Sequence, residues 1–508
     1  MRSSGKKSVK TQIYKNDGNE WEMTMSEIGT KKENEVRLQK KLSPVNVWSL
    51  SLGCIVGGSA FVMPANTFLV KAGPLGTAIA MSVAALIMIV IAFNYHFMIN
   101  RYPIAGGEFT YTNVAFGGKQ AFICSWFLGL SYLSLVALNA TALAFVLRNL
   151  ITYFEFGFHY VVAGYDIYFG EILLAVFALV FFGILSIRGV QFTGVFQTIL
   201  VFSLVGGVFV VLGASVVDPS VKAANILPLF NPEVKPLAGI LGVVAVAPWA
   251  FVGFDTIPQA AEEFRFSAKK TRRIMVLSVL FGGAVYVIIN TVTAVVVPAG
   301  YSSWVEYLRD LPNLSGLMAL PTFHAAYQLL GKTGLFFIGI AVVAACLSGI
   351  VGFYMATSRL LYSMAKESVI PGWFGRLHPK YKTPANAILF VLLVSLAAPF
   401  FGRTAILWIV DMASIGAAIG YGYTSAAAFV FAKQEKNKGI MVTGVLGTLM
   451  SVMFAVLLLV PIPFFNCSLG RESYICLLAW VVLGLVFYLK TRGLRTEDLP
   501  EQAENAEA

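Results

Sequence analysis

The sequence predicts an all-α polytopic membrane protein of twelve transmembrane helices. Three observations carry that expectation. The 508 residues are 57% hydrophobic and only 12% charged, with a mean hydropathy of +0.76, a balance that no soluble chain of this size sustains. Apolar runs long enough to cross a bilayer recur from one end to the other. Lys and Arg residues gather in alternate connecting loops, as the positive-inside rule requires.

The apolar runs lie near 45–70, 75–99, 121–147, 167–187, 190–214, 237–262, 274–298, 333–362, 385–401, 405–431, 439–464 and 473–489. They use nearly the whole chain and leave no room for a separate soluble domain. Residues 1–43 are polar and lysine-rich and lack the short apolar core and cleavage site of a signal peptide. They are expected to form a cytoplasmic tail, largely disordered, as is the stretch 491–508. With the N-terminus inside, Lys71, Arg148, Lys222, Lys235, Arg309, Lys332, Arg403 and Arg471 fall outside, and the other 29 of the 37 basic residues fall on the cytoplasmic side. The expected location is a cell membrane crossed many times, with both termini cytoplasmic. The net charge of +11 then reflects basic loops lying on an anionic leaflet, not nucleic acid.

Two runs are interrupted. The first contains GCIVGGSAF at 53–61, with Gly57 and Gly58 side by side and Ser59 next. Glycine weakens a helix interior by about 1 kcal/mol relative to alanine. Such glycines often serve only close helix packing. The sixth run, GVVAVAPWAFVGFDTIPQAAEE, carries Pro248, Gly253 and Pro258 in its middle. Breaks in the first and sixth of the runs, with four unbroken runs between, match a transporter built from two inverted five-helix halves, whose substrate site lies at the paired breaks. The expected organisation is a first repeat at 44–214, an outer loop at 215–236, a second, inverted repeat at 237–431 and two peripheral helices at 432–490. Amide groups at Gly57, Gly58 and Ser59 suit a carboxylate at the positive end of a restarting helix. Carbonyls of Cys54, Ile55 and Val56 suit an ammonium group or a sodium ion. A zwitterion matches both.

GCIVGGSAFVMPAN, PWAFVGFD followed by AAEE, SRLLYSMAKESVIPGWFGRLHPKYKTPANA and RYPIAGGEFTY together resemble the amino acid–polyamine–organocation transporter family. Within it, the arginine/agmatine antiporter and putrescine transporters share the shape of GGSAFVMPAN and WAFVGFD. The resemblance spans about residues 40 to 435 and implies a LeuT-like fold with alternating access around a central site. It implies that Gly57, Gly58 and Ser59 hold the carboxylate and that Ala250, Phe251, Val252 and Gly253 form the second unwound segment. Trp249 matches an aromatic that closes over the substrate. Asp255 replaces a family acid, usually glutamate, implicated in proton or substrate coupling. Phe353 stands where the antiporter has a gating tryptophan, which weakens recognition of a cationic side chain. Many relatives carry a lysine in the fifth helix, where Ser203 or Leu204 falls here. That leaves either a sodium ion, held by Ser348 and first-helix carbonyls, or substrate exchange.

Other residues receive plainer expectations. Asp255 is an acid within a membrane run and so a functional candidate, as a proton carrier or as a cap of the restarting half-helix. Asp411 is expected to cap the tenth helix, His96 to be structural, and Glu262 and Glu263 to join an inner charged latch beside the KKTRR run at 269–273. Cys54, Cys124 and Cys346 read as packed thiols. Cys467 and Cys476 lie near the outer face, where pairing stays open. Sequons stand at Asn313 and Asn466.

No nucleophile–base pair, phosphate-binding glycine loop or ATP-binding domain is present in the sequence, so the chain is not expected to be an enzyme. No cofactor is expected beyond Na+ or H+ as a coupling ion. The expected partners are a small amino acid or amine, the lipid bilayer and a second copy of the chain. The alternatives are a sodium-coupled symporter of another organic solute and a sensor that binds an amino acid without moving it.

Overall fold

The computed structural model describes residues 11–16, 19–24, 38, 40–150, 154–162, 165–462 and 468–497. Two compact units are distinguished, Met1–Gln39 and Lys40–Ala508. In the first, β1 (Thr11–Asn16) and β2 (Asn19–Thr24) pair antiparallel, Thr11 opposite Thr24 and Asn16 opposite Asn19. Ile13, Tyr14 and Trp21 are residue types that favour strands; most of the expected tail lies outside the described residues. The Asp-Gly sequence between the strands also favours a two-residue hairpin.

The second unit is helical. Its order runs α1 (Pro44–Val56), α2 (Ser59–Met63), a π-helical turn at Pro64–Phe68, α3 (Leu69–Arg101), α4 (Glu108–Phe116) and α5 (Gly118–Leu150). The strands β3 (His159–Val162) and β4 (Tyr165–Tyr168) follow as a small antiparallel hairpin, which, with the first hairpin, modifies the all-α expectation. Then come α6 (Phe169–Arg188), α7 (Val190–Val217), α8 (Pro236–Ala245), α9 (Ala247–Phe251), α10 (Thr256–Gln259) and α11 (Thr271–Val295). The chain continues through α12 (Trp304–Asp310), α13 (Pro321–Leu330), α14 (Lys332–Lys366), α15 (Ala385–Ser395), α16 (Gly402–Gln434), α17 (Lys438–Leu459) and α18 (Arg471–Glu497).

Among the described residues nine helices are long and apolar enough to cross a membrane. The expected first and second runs join in one of them, Pro44–Arg101, because a sharp turn at Gly73 and Pro74 is absorbed in helix. The expected runs at 237–262 and 385–401 are met by shorter apolar helices, Pro236–Ala245 and Ala385–Phe401. The protein is thus a multi-pass membrane protein, dominated by helix.

Packing ranks the helices. In the most apolar window of α5, 89% of residues are buried, against 11% in that of α18, so α5 runs through the centre and α18 along the edge. α5 packs on α14 and α16, and α1 is enclosed by α7, α11 and α14. Ser43 caps α1: its Oγ accepts from Asn46 N–H at 3.3 Å while Asn46 Oδ1 accepts from Ser43 N–H at 3.1 Å. The Asn46 amide then donates to Gly194 O and Thr198 Oγ1 of α7, both at 3.0 Å, fixing where the first broken helix enters. At the same end, Lys41 and Leu42 N–H donate to Glu263 O and Arg265 N–H donates to Leu42 O, each at 2.9 Å. The strand-like contact ties the entry of α1 to the exit of α10.

Candidate functional site

The first break forms where Gly57 takes φ 49° and ψ 170°, a left-handed backbone that glycine alone holds without penalty. α1 stops at Val56 and α2 begins at Ser59. The N–H of Gly58 is turned to the side and donates to Asn139 Oδ1 of α5 at 2.9 Å, while Asn139 Nδ2 donates to Leu135 O at 2.8 Å. A Cβ on Gly58 would stand 2.0 Å from Cys346 Sγ of α14. An amide oxygen is therefore held where a carboxylate oxygen was expected. On the other half, the Tyr286 hydroxyl of α11 donates to Ile55 O at 3.0 Å, so one of the three expected carbonyls is engaged by protein.

The second break is longer. α8 ends at Ala245, α9 covers Ala247–Phe251, residues 252–255 turn without helix, and α10 resumes at Thr256. Gly253 has φ 150°, and a Cβ there would stand 2.6 Å from Ile55 N and 2.7 Å from Ser51 O. The two breaks thus lie backbone against backbone, as their paired spacing predicts. Asp255 does not cap α10 with its side chain. Its Oδ1 turns back to accept from Gly253 N–H at 2.6 Å, and its Oδ2 accepts from the Tyr132 hydroxyl at 3.0 Å. The carboxylate thereby braces the turn.

Aromatic rings close two sides. Trp249 stacks on Phe68, with centroids 6.2 Å apart at 29°, and Phe68 meets Tyr286 edge-on at 5.8 Å. Phe251 lies 6.3 Å from Tyr286. Phe353 lies elsewhere, 6.0 Å from Tyr132. Cys54, Ile55, Val56, Trp249, Ala250, Phe251, Val252, Phe353 and Asp255 are all buried. Among the described residues Trp249 and Phe353 make no ring contact with each other, so the two expected gates belong to separate clusters.

Ser348 stands beside the first helix: a Cβ on Gly53 would lie 1.7 Å from its Oγ. A polar residue of α7 that reaches it is Gln197, whose Nε2 donates to Ser348 O at 2.9 Å. Ser348 Oγ and Gln197 Oε1 are buried without a hydrogen-bond partner, which leaves two oxygens suited to a small cation or water. A cavity of about 520 Å³ opens away from both breaks, between Leu147, Leu200, Phe336 and Lys332.

Other charged and polar residues find specific partners. Glu263 pairs with Arg359 of α14, Nε to Oε1 at 2.8 Å with both side chains buried. Glu262 Oε1 accepts from Ala105 N–H at 3.2 Å. Asp411 lies inside α16 and accepts from Ser473 Oγ at 2.6 Å and Gly470 N–H at 3.3 Å; it joins α18 to α16 and is not a cap. His96 Nδ1 sits 2.9 Å from Thr271 Oγ1, a tie between α3 and α11 in keeping with a structural histidine. Cys467 and Asn466 lie outside the described residues.

Asn139, Tyr286, Phe68, Gln197 and Glu108 are neighbours that sequence reasoning missed. Asn139 carried a signal, since an amide in the middle of an apolar run tends to bond across helices. Glu108 lay in plain view within RYPIAGGEFTY.

The chain has known relatives. The profile of the amino acid permease family matches residues 42–486. The branched-chain amino acid permease BcaP of Bacillus subtilis is 26% identical over 477 residues, covering 89% of this chain and 93% of the relative. The methylthioribose transporter of Bacillus subtilis is 24% identical over 466 residues, covering 90% and 94%. The low-affinity putrescine importer PlaP of Escherichia coli is 24% identical over 419 residues, covering 80% and 82%.

Proposed function

Because the chain belongs to the amino acid permease family, within the amino acid–polyamine–organocation transporters, we propose that it carries a small apolar amino acid across a cell membrane by alternating access. The observation that carries this reading is the apposition of the two breaks, with Gly58 N–H on one side and the carbonyl end of α1 on the other. A substrate carboxylate replaces Asn139 Oδ1 at Gly58, and its ammonium group takes carbonyls at Cys54 and Val56, with Ala250 and Val252 opposite. The walls are Trp249, Phe68, Phe251 and Cys346, which are apolar and uncharged. A cationic side chain would need a free acid there, and Asp255 is already engaged by Gly253 and Tyr132. The likeness to BcaP supports a branched-chain substrate.

In this scheme ten core helices form two inverted five-helix repeats with α17 and α18 outside them, both termini face the cytoplasm, and α1 with α8 to α10 rocks against the rest. Trp249 and Phe353 gate opposite sides. Gln197 and Ser348 offer oxygens for a coupling sodium ion, so sodium and pH are tested together. A second reading, a neutral solute without an amine, is favoured by the likeness to the methylthioribose transporter.

The experiment is counterflow in proteoliposomes. Vesicles are loaded with L-leucine, L-valine, L-arginine, putrescine or methylthioribose, and the labelled compound is followed with and without sodium and a pH gradient. Exchange of L-leucine or L-valine is expected. Exchange of methylthioribose alone selects the second reading, and binding without any flux selects a sensor.

A further inference from the structure

Glu108, which opens α4, and Asp255, in the second break, are both completely buried and meet at one hydroxyl. Tyr132 Oη lies 3.0 Å from both Asp255 Oδ2 and Asp255 O, and 3.4 Å from Glu108 Oε1. Gln259 Nε2 at the end of α10 donates to Glu108 Oε2 at 2.6 Å. The titratable groups that face the pair are Tyr95 of α3, Tyr111 of α4, Tyr132 and Cys124 of α5, Tyr421 of α16 and Cys54 of α1. All of these are neutral near pH 7. Among the described residues no Lys, Arg or His faces either carboxyl.

The protons can be counted. A phenol has one to give. Once Tyr132 donates to either oxygen of Asp255, its contact with Glu108 becomes a hydrogen bond only if Glu108 carries a proton and donates it to the phenol oxygen. Two ionised carboxylates would leave two unpaired charges away from water, whereas one shared proton removes half of that charge. The Tyr95 hydroxyl faces Glu108 and is completely buried, and Gln259 Oε1 is buried without a hydrogen-bond partner.

We propose that Glu108 and Asp255, bridged by Tyr132, form one site that binds a single transported proton and couples its movement to that of the substrate. The proposal rests on the transport reading above. Its two carboxyls hang from different elements, α4 and the second break, so rocking of α9 and α10 pulls Asp255 from Tyr132 and opens the pair to water. The orientation taken from the basic residues puts that opening on the cytoplasmic side, where the proton leaves. Glu108 touches none of the residues assigned to the substrate, which makes it the informative position.

The test uses the full chain in liposomes with a pH-sensitive dye inside, and L-leucine or whichever panel compound the wild type exchanges. Under an inward gradient of one pH unit, a one-proton symporter accumulates substrate about tenfold and acidifies the lumen. Glu108→Gln is expected to lose accumulation and acidification, and its remaining counterflow is expected not to vary with pH. Wild-type-like accumulation by Glu108→Gln overturns the proposal. Where that variant fails to fold, Tyr132→Phe decides, since it keeps both acids and removes the bridge. A displaced pH profile of its counterflow supports the site, and a superimposed profile overturns it. Wild-type counterflow with no response to pH overturns the proton site alone. No wild-type counterflow of any panel compound overturns the transport reading and this proposal with it.

Discussion

Replacing Gly253 by alanine is expected to separate the two broken helices. The new Cβ would sit 2.6 Å from Ile55 N and 2.7 Å from Ser51 O, inside contact distance of backbone atoms that cannot rotate away. Forcing an extra carbon into a packed interior costs about 1–3 kcal/mol. The positive φ of 150° adds roughly 1–2 kcal/mol for a residue with a Cβ. The sum, roughly 2–5 kcal/mol, shifts the folding equilibrium by roughly 30-fold to a few thousandfold. Gly206→Ala is the control, because its Cβ meets nothing within 4 Å and alanine is favoured over glycine inside a helix by about 1 kcal/mol. Thermal unfolding of the purified protein in detergent and counterflow in liposomes measure both variants. Gly253→Ala should unfold well below Gly206→Ala and exchange little substrate. Equal stability and equal flux for the two would refute the apposition of the breaks.

Two other perturbations follow from named contacts. Arg359→Met or Glu263→Gln strands its buried partner and should cost about 3–5 kcal/mol, while the double variant costs less than the sum. Additive losses in a thermal-stability cycle would mean that the pair is not coupled. Asn139→Ala leaves Gly58 N–H buried and unsatisfied, at about 1–3 kcal/mol. Because a substrate carboxylate then becomes the partner of that N–H, saturating substrate should raise the unfolding temperature more in the variant than in the wild type. An equal rise in both would place the carboxylate elsewhere.

Asp255 illustrates how far residue order carries. Its depth in an apolar run marked it as functional, and its place at a restarting helix suggested a cap. Its partners are Gly253 N–H, two residues away, and Tyr132, 123 residues away; the first is local and the second is not. Asp411 went astray for the same reason, since the bonds that define it come from Ser473 and Gly470, beyond the reach of any local rule. Gln197 reaches Ser348 across 151 residues, because the rotation of α7 about its axis, set by packing on α14, decides which face looks inward.

By itself the sequence determined a multi-pass membrane protein and where two of its apolar runs break. Those are local or compositional matters: apolar runs must leave water whatever their partners, and a glycine pair or a proline interrupts a helix where it stands. The tertiary structure alone decided that Asn139 holds Gly58 across 81 residues, that Tyr286 holds Ile55 O across 231, and that Glu108 and Asp255 share Tyr132. Large apolar side chains lie on the exposed faces of these helices as well as in the core, so hydrophobic patterning does not say which helices touch. Close packing and the need to pair every buried polar group settle that instead.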